Sequence, residues 1–332
     1  MTSLADLTTL HIGGTPKSLV HATDESQIID SVVEADIKNQ PILILGGGSN
    51  VIIADEFHGD VLHIANQGIE NDASVCAGAW VTVQAGTSLD EFVALAVASG
   101  WTGVEGLSGV PGTVGATPIQ NVGAYGQQVS DTIAQVRAWN RETKQVDVLF
   151  AADCEFGYRD SIFKRNPQRW VVLGVTFQLK LGDLSSPIEF DELARELGID
   201  KGSRASLVDV REAVLKLRSG KGMVINHEDH DTWSVGSFFL NPRTDSVPEG
   251  APAWEQPDGR HKVSAAWLIE NTGFGKGFGL NDRATLSNKH TLAITNRGNA
   301  TAADILELAS FIQTGVKAKY GITLELEPRL VR

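Results

Sequence analysis

The sequence predicts an α+β fold, on three observations. An amphipathic helix followed by a short buried strand makes a β-α-β opening. The middle of the chain is written in strands and turns, without the strand–helix alternation of a doubly wound sheet. The last third holds two clear helices among short strands. At 332 residues, a prior of about 150 residues per domain gives roughly two domains and ample chain for a core.

The elements follow in order. Asp24-Glu25-Ser26-Gln27 is a capping box, and Ile28, Ile29, Val32, Val33 and Ile37 continue at helical spacing. Pro41 stops that helix, and Ile42–Leu45 reads as a buried strand running into Gly46-Gly47-Gly48-Ser49-Asn50. Residues 61–85 read as strands and turns. Ser88 and Glu91 frame a second capping box, whose helix ends near Gly100. Strands are expected around 134–139, 145–150 and 170–180. Ser206 and Asp209 open a third helix reaching Leu217, and the polar stretch 219–233 reads as a linker or surface loop. Thr301 and Asp304 open the last helix, with Ile305, Leu306, Leu308, Ala309, Ile312 and Val316 on one face. Gly321 ends it, and residues 322–331 read as a terminal strand.

Composition narrows the function. Lys plus Arg number 28 against 41 Asp plus Glu, a net charge of −13. A binder of bulk nucleic acid needs a basic surface, so that class is excluded, whereas a small anion held by local cations is not. Cys76 and Cys154 are the two cysteines, too few for a disulfide framework and without metal-ligand spacing. No run of about 18 apolar residues offers a membrane span, and MTSLADLTTLHIGG lacks the pattern of a secretory leader. A cytoplasmic protein is therefore expected. The 34 glycines are in excess and clustered, which suggests backbone approaching a ligand.

Six segments carry candidate chemistry. Gly46–Asn50 after a strand is either a tight turn or a phosphate cradle; its spacing fits neither the Rossmann nor the Walker A pattern. Residues 103–126 form a long irregular loop, with backbone donors around Gly112 and Gly115 and polar contacts at Gln120, Asn121 and Tyr125. Two such cradles suit a dinucleotide. Tyr158-Arg159-Asp160 places a guanidinium that either grips a carboxylate or pairs with Asp on a surface turn. Ser237, between Gly236 and Phe238-Phe239, is either a functional hydroxyl in an apolar setting or an incidental Ser on a buried strand; no hydrolase elbow surrounds it. Glu325 and Glu327, two apart, face one side of a strand opposite Leu324 and Leu326, as a solvated edge or as a pair of functional carboxylates. His227–Asp231 has the residue types of a metal site but reads better as a solvated loop.

Together these segments resemble the UDP-N-acetylenolpyruvoylglucosamine reductase family, nearly end to end. The resemblance rests on LILGGGSNVIIAD, GLSGVPGTVGATPIQNVGAYG, FGYRDSIFK, GSFFLNP, KVSAAWLIENTGF and LELEPRLV in that order. It implies an FAD-binding fold of the vanillyl-alcohol oxidase type, with two FAD-binding domains and a C-terminal substrate domain. Their bounds would be 1–66 (joined by 321–332), 67–218 and 219–320. It also implies non-covalent FAD, NADPH as co-substrate, and reduction of UDP-N-acetylglucosamine enolpyruvate in peptidoglycan precursor synthesis by a cytoplasmic monomer. Gly46, Gly47, Gly48, Ser49 and Asn50 would hold the pyrophosphate. Gly112, Thr113, Gly115, Ala116, Gln120, Asn121, Gly123, Ala124 and Tyr125 would line the flavin. Ser237 would protonate the substrate, Arg159 would offset the enolate charge, and Glu327 would act at the same end. Tyr158, Lys221 and Asn241 would grip substrate or nicotinamide.

The chain departs from the family pattern in places. Phe190 stands where many members carry a Tyr over the substrate diphosphate, so that donor is lost. The loop before Ser237 is longer than in short-loop members, and Gly275-Lys276-Gly277 carries an extra glycine. Two other readings compete: an oxidase of the same fold with covalent flavin, and a regulatory module that binds nucleotide without turnover.

Overall fold

The computed structural model describes residues 3–74 and 78–332; Cys76 lies outside them. The chain divides into two compact units. One comprises Lys17–Gly47 and Gly59–Ser219, the other Met1–Pro16, Gly48–His58 and Gly220–Arg332.

The first unit opens as expected. The strands Ser18–Ala22, Asp60–Ile64 and Ile42–Leu45 lie in that order in a parallel sheet. The helix Glu25–Ile37 turns Ile28 and Val32 fully inward. Asp24 caps it by accepting the Gln27 N–H at 2.9 Å, but the Gln27 carboxamide reaches the Thr23 N–H rather than that of Asp24. Ile37, counted on the apolar face, is 72% exposed at the last position of the helix.

A second, antiparallel sheet follows, ordered Gln145–Phe150, Ile133–Asn140, Trp170–Leu181, Gly78–Gln84 and Ile69–Ser74. Its central strand is buried without interruption from Val171 to Phe177, since both faces are covered. Phe177 stacks on Phe92 of the helix Leu89–Ala98, with centroids 4.6 Å apart. That helix starts at Ser88, whose Oγ accepts the Glu91 N–H. Two short helices, Ile162–Arg165 and Asp191–Leu197, have no counterpart in the sequence reading; each is too brief for its period to register.

In the second unit, the helices Ala265–Thr272 and Ala302–Tyr320 pack around Phe238, Phe239, Ile52 and Leu10. Burying Ile305, Leu308, Ile312 and Val316 contributes about 1.5–3 kcal/mol each. The capping box at Thr301 and Asp304 is fully formed, and Gly321 stops the helix at φ +70°. The expected terminal strand is shorter than read. Only Arg329–Val331 is regular, pairing parallel with Val51–Ile53. Pro328 has no N–H to give a ladder, and the chain before it pairs elsewhere. Nor is the polar stretch 219–233 simply solvated. Asp231 and Thr232 are buried, Asp231 pairs with Arg297, and Asp229 pairs with Lys289. Among the described residues no helix is long and apolar enough to cross a membrane.

Candidate active site

The Gly46-Gly47 turn lies against Gly112-Thr113 within the first unit. A Cβ on Gly47 would stand 2.7 Å from the Gly112 Cα, and one on Gly46 2.6 Å from the Thr113 Oγ1. Two main chains this close present peptide groups rather than side chains to a ligand, which is what a diphosphate needs. On that observation the residues fit a dinucleotide cofactor.

The second loop is pinned from behind. Leu89 N–H donates to the Gly112 carbonyl at 3.0 Å, Val114 N–H to Thr87 at 2.8 Å and Gly115 N–H to Ala85 at 2.8 Å. Ala116 completes the single turn Val114–Ala116. The third glycine of the triplet acts differently. Gly48, at φ +60°, is seated where a Cβ would meet the Leu7 carbonyl oxygen at 1.9 Å. It belongs to the second unit with Ser49 and Asn50, and there Asn50 accepts the Arg329 N–H at 3.0 Å.

Downstream, Asn121, Tyr125 and Arg159 all take left-handed backbone, with φ of +45°, +49° and +53°. Such conformations cost of order 1–3 kcal/mol each and persist where surroundings impose them. The Arg159 guanidinium donates to the Gly123 carbonyl at 2.7 Å and to the Asn121 carbonyl at 3.3 Å. It does not take Asp160, which pairs with Arg165. Lys164 Nζ donates to the Arg159 carbonyl at 2.8 Å, and Ser161 Oγ to Ile119 at 2.6 Å. The guanidinium stands 5.6 Å from the Tyr158 ring centre. Gly123-Ala124 forms a two-residue hairpin ladder with Gln127-Gln128, and Gln120 is half-buried beside it. Burial pushes the Tyr125 phenol up to about 12, against the opposing charge of Arg218. The Tyr125 ring meets Phe190 edge-on at 5.3 Å, and Phe190 itself stays 40% exposed.

In the second unit, Glu327 N–H donates to the Phe238 carbonyl at 3.0 Å and Leu240 N–H to Glu325 at 2.9 Å. This antiparallel pairing, with Phe239 opposite Leu326, puts Phe238 across from Glu327 and Ser237 one register step further along, although 90 positions separate Ser237 and Glu327 in the chain (327 − 237). Phe238 and Phe239 are buried and anchor the strand, while Ser237 and Glu327 stay half-buried and Glu325 is exposed. The Asn241 carboxamide oxygen accepts the Ala265 N–H at 2.9 Å, at the start of a helix. Lys221 is half-buried in the same unit.

Two anchors of the long loop escape sequence reasoning. Asp90, read as part of a helix start, takes the Gly109 N–H at 2.6 Å and a two-pronged contact from Arg211 at 2.7 and 3.0 Å. Burial would raise its carboxyl, yet Arg211 and the Gly109 amide hold it below its ordinary value. Glu105, 1% exposed, takes the amides of Gly103 and Ser186. Nothing local marks either one; an acid in the first turn of a helix is ordinary.

Residues 16–148 match a family model described as an FAD binding domain. Residues 227–331 match the model of the UDP-N-acetylenolpyruvoylglucosamine reductase C-terminal domain. The reductase of that name from Cutibacterium acnes is 52% identical, across 99% of this chain and 89% of its own. The chain belongs to the UDP-N-acetylenolpyruvoylglucosamine reductase family. Its Streptomyces avermitilis relative is 48% identical over 98% of this chain and 92% of its own. The crystal structure of the family's Thermus caldophilus member covers 100% of this chain and 98% of that one, at 25% identity and a TM-score of 0.69. The expected α+β FAD-binding fold is thereby borne out, and the protein is an FAD-binding oxidoreductase of this family.

Proposed function

We propose that the protein reduces UDP-N-acetylglucosamine enolpyruvate to UDP-N-acetylmuramate with NADPH, as a cytoplasmic monomer supplying peptidoglycan precursors. The observation that carries the chemistry is Arg159, a cation fixed by two carbonyls of the loop expected to line the flavin. Bound FAD supplies hydride transfer, from NADPH to the vinyl carbon C3 of the enolpyruvyl group. Gly46–Asn50 would hold its diphosphate, and Gly112, Thr113, Gly115, Ala116, Gln120, Asn121 (by its main chain), Gly123, Ala124 and Tyr125 would line the flavin.

The chain's own residues do the rest. Charge left at C2 spreads into the substrate carboxylate, and Arg159 stabilises it. The Ser237 hydroxyl gives its proton to C2; a weak acid suffices because an enolate carbon is a strong base. Glu327 serves as a hydrogen-bonding group or an acid at the same end of the substrate. Tyr158, Lys221 and Asn241 hold substrate or nicotinamide. Segments 1–66 with 321–332 and 67–218 serve FAD in this reading, and 219–320 serves substrate.

The test is an absorbance spectrum of the purified protein, taken anaerobically with NADPH and then with the enolpyruvyl sugar nucleotide. A flavin band that bleaches with NADPH and returns with substrate supports the proposal. A band that bleaches but does not return refutes the substrate, and flavin retained in an acid-precipitated pellet favours the oxidase reading.

A further inference from the structure

We infer that Asn121 is a positioning residue for Arg159, acting through the turn that carries the guanidinium and not through the cofactor. The inference rests on the reading of Arg159 proposed above. Asn121 is 2% exposed, and its carboxamide is spent inside the protein. Its Nδ2 donates to the Gly157 carbonyl at 3.0 Å and to Gln128 Oε1 at 3.2 Å, while its Oδ1 accepts the Ser130 N–H at 3.1 Å. The Gly157 bond falls two residues before Arg159. Asn121 therefore fastens the turn from one side, and its own main-chain carbonyl receives Arg159 Nη1 on the other.

The arrangement closes on itself. The Arg159 backbone is left-handed, so it keeps that shape only while its surroundings impose it. The main-chain bonds between Gly157 and Asp160, at 2.9 and 3.3 Å, close the turn, and three side-chain bonds brace it: Asn121 to Gly157, Ser161 to Ile119, and Lys164 to the Arg159 carbonyl. Of these, only Asn121 also supplies an acceptor to the guanidinium. Its own φ of +45° is the reason for Asn, which tolerates left-handed backbone better than other residues carrying two N–H donors and an acceptor. A guanidinium freed from this seat moves by an ångström or more, and misplacement of that size costs about 10²-fold in rate.

The test uses the flavin-loaded full chain and single-turnover reoxidation by the enolpyruvyl sugar nucleotide. Asn121→Gly keeps the left-handed backbone and removes the carboxamide. We expect stoichiometric flavin and reoxidation slower by about 10²-fold, with the loss in rate rather than in substrate affinity. In an Arg159→Ala background, the same substitution should cost less than about threefold, because residues acting through one another are not additive. Asn121→Asp keeps the acceptor for Ser130 but sets an oxygen against the Gly157 carbonyl. Its rate relative to the unaltered protein should rise as pH falls and the carboxyl regains a donor.

Equal losses in the two backgrounds would overturn the inference and make Asn121 merely structural. Loss of flavin in Asn121→Gly would overturn it in favour of a cofactor contact. If the unaltered protein is not reoxidised, or Arg159→Ala reoxidises normally, the underlying reading of the reaction fails first and the inference falls with it.

Discussion

Gly47→Ala tests whether the paired glycine loops hold the flavin. The added Cβ would stand 2.7 Å from the Gly112 Cα, 3.1 Å from the Gly112 carbonyl carbon and 3.4 Å from the Thr113 nitrogen. All three neighbours are main chain, so no side chain can swing aside. Raising 2.7 Å to an ordinary contact of 3.4 Å requires the loops to part by about 0.7 Å (3.4 − 2.7). The Gly112 side resists, since its carbonyl is held by Leu89 N–H and the next residues by Thr87 and Ala85. Overpacking of this kind costs about 1–3 kcal/mol. If the cost falls on the flavin-bound form, FAD affinity drops about 5- to 150-fold. The assay is titration of the apoprotein with FAD, followed by flavin fluorescence. Gly275→Ala is the control, because a Cβ there meets nothing within 4 Å and the backbone is not left-handed. Unchanged affinity in Gly47→Ala, with the fold intact, would refute the cradle.

Three further outcomes are expected. Ser237→Ala should leave flavin reduction by NADPH largely intact and slow reoxidation by substrate by about 10²–10⁴-fold; equal slowing of the two halves would make Ser237 structural. Asp304 is held well below the usual carboxylate range by Arg283 and the Thr301 cap. A lowered value means stability present above the unfolded-state pKa and lost as pH falls through the folded one. Asp304→Asn should therefore lower the thermal midpoint at pH 7, with a deficit that shrinks below about pH 4; a deficit independent of pH would show that the charge contributes nothing. Cys154 is buried, and burial pushes its thiol up to about 12. Peptide mapping after iodoacetamide at pH 8 should find it unmodified in the native protein and alkylated after unfolding.

What the sequence determined is local. Asp24, Ser88, Ser206 and Thr301 start helices where they stand, because a cap is satisfied by an amide two or three residues away. The Gly46–Asn50 and 103–126 segments stand out for the same reason, as backbone chemistry readable in one window. The family resemblance added an order of motifs and with it the cofactor.

What only the tertiary structure decided is which distant segments meet. The approach of Gly47 to Gly112, the pairing of residues 238–240 with 325–327, and the parallel joining of Arg329–Val331 to Val51–Ile53 are contacts between chain segments far apart in number. No spacing rule reaches that far, since loop-closure and burial, not periodicity, select among possible partners. The same holds for Asp90, Glu105 and Asn121. Each is an ordinary polar residue in its own window, and its role exists only because folding brings a particular amide or carbonyl within about 3 Å of its side chain.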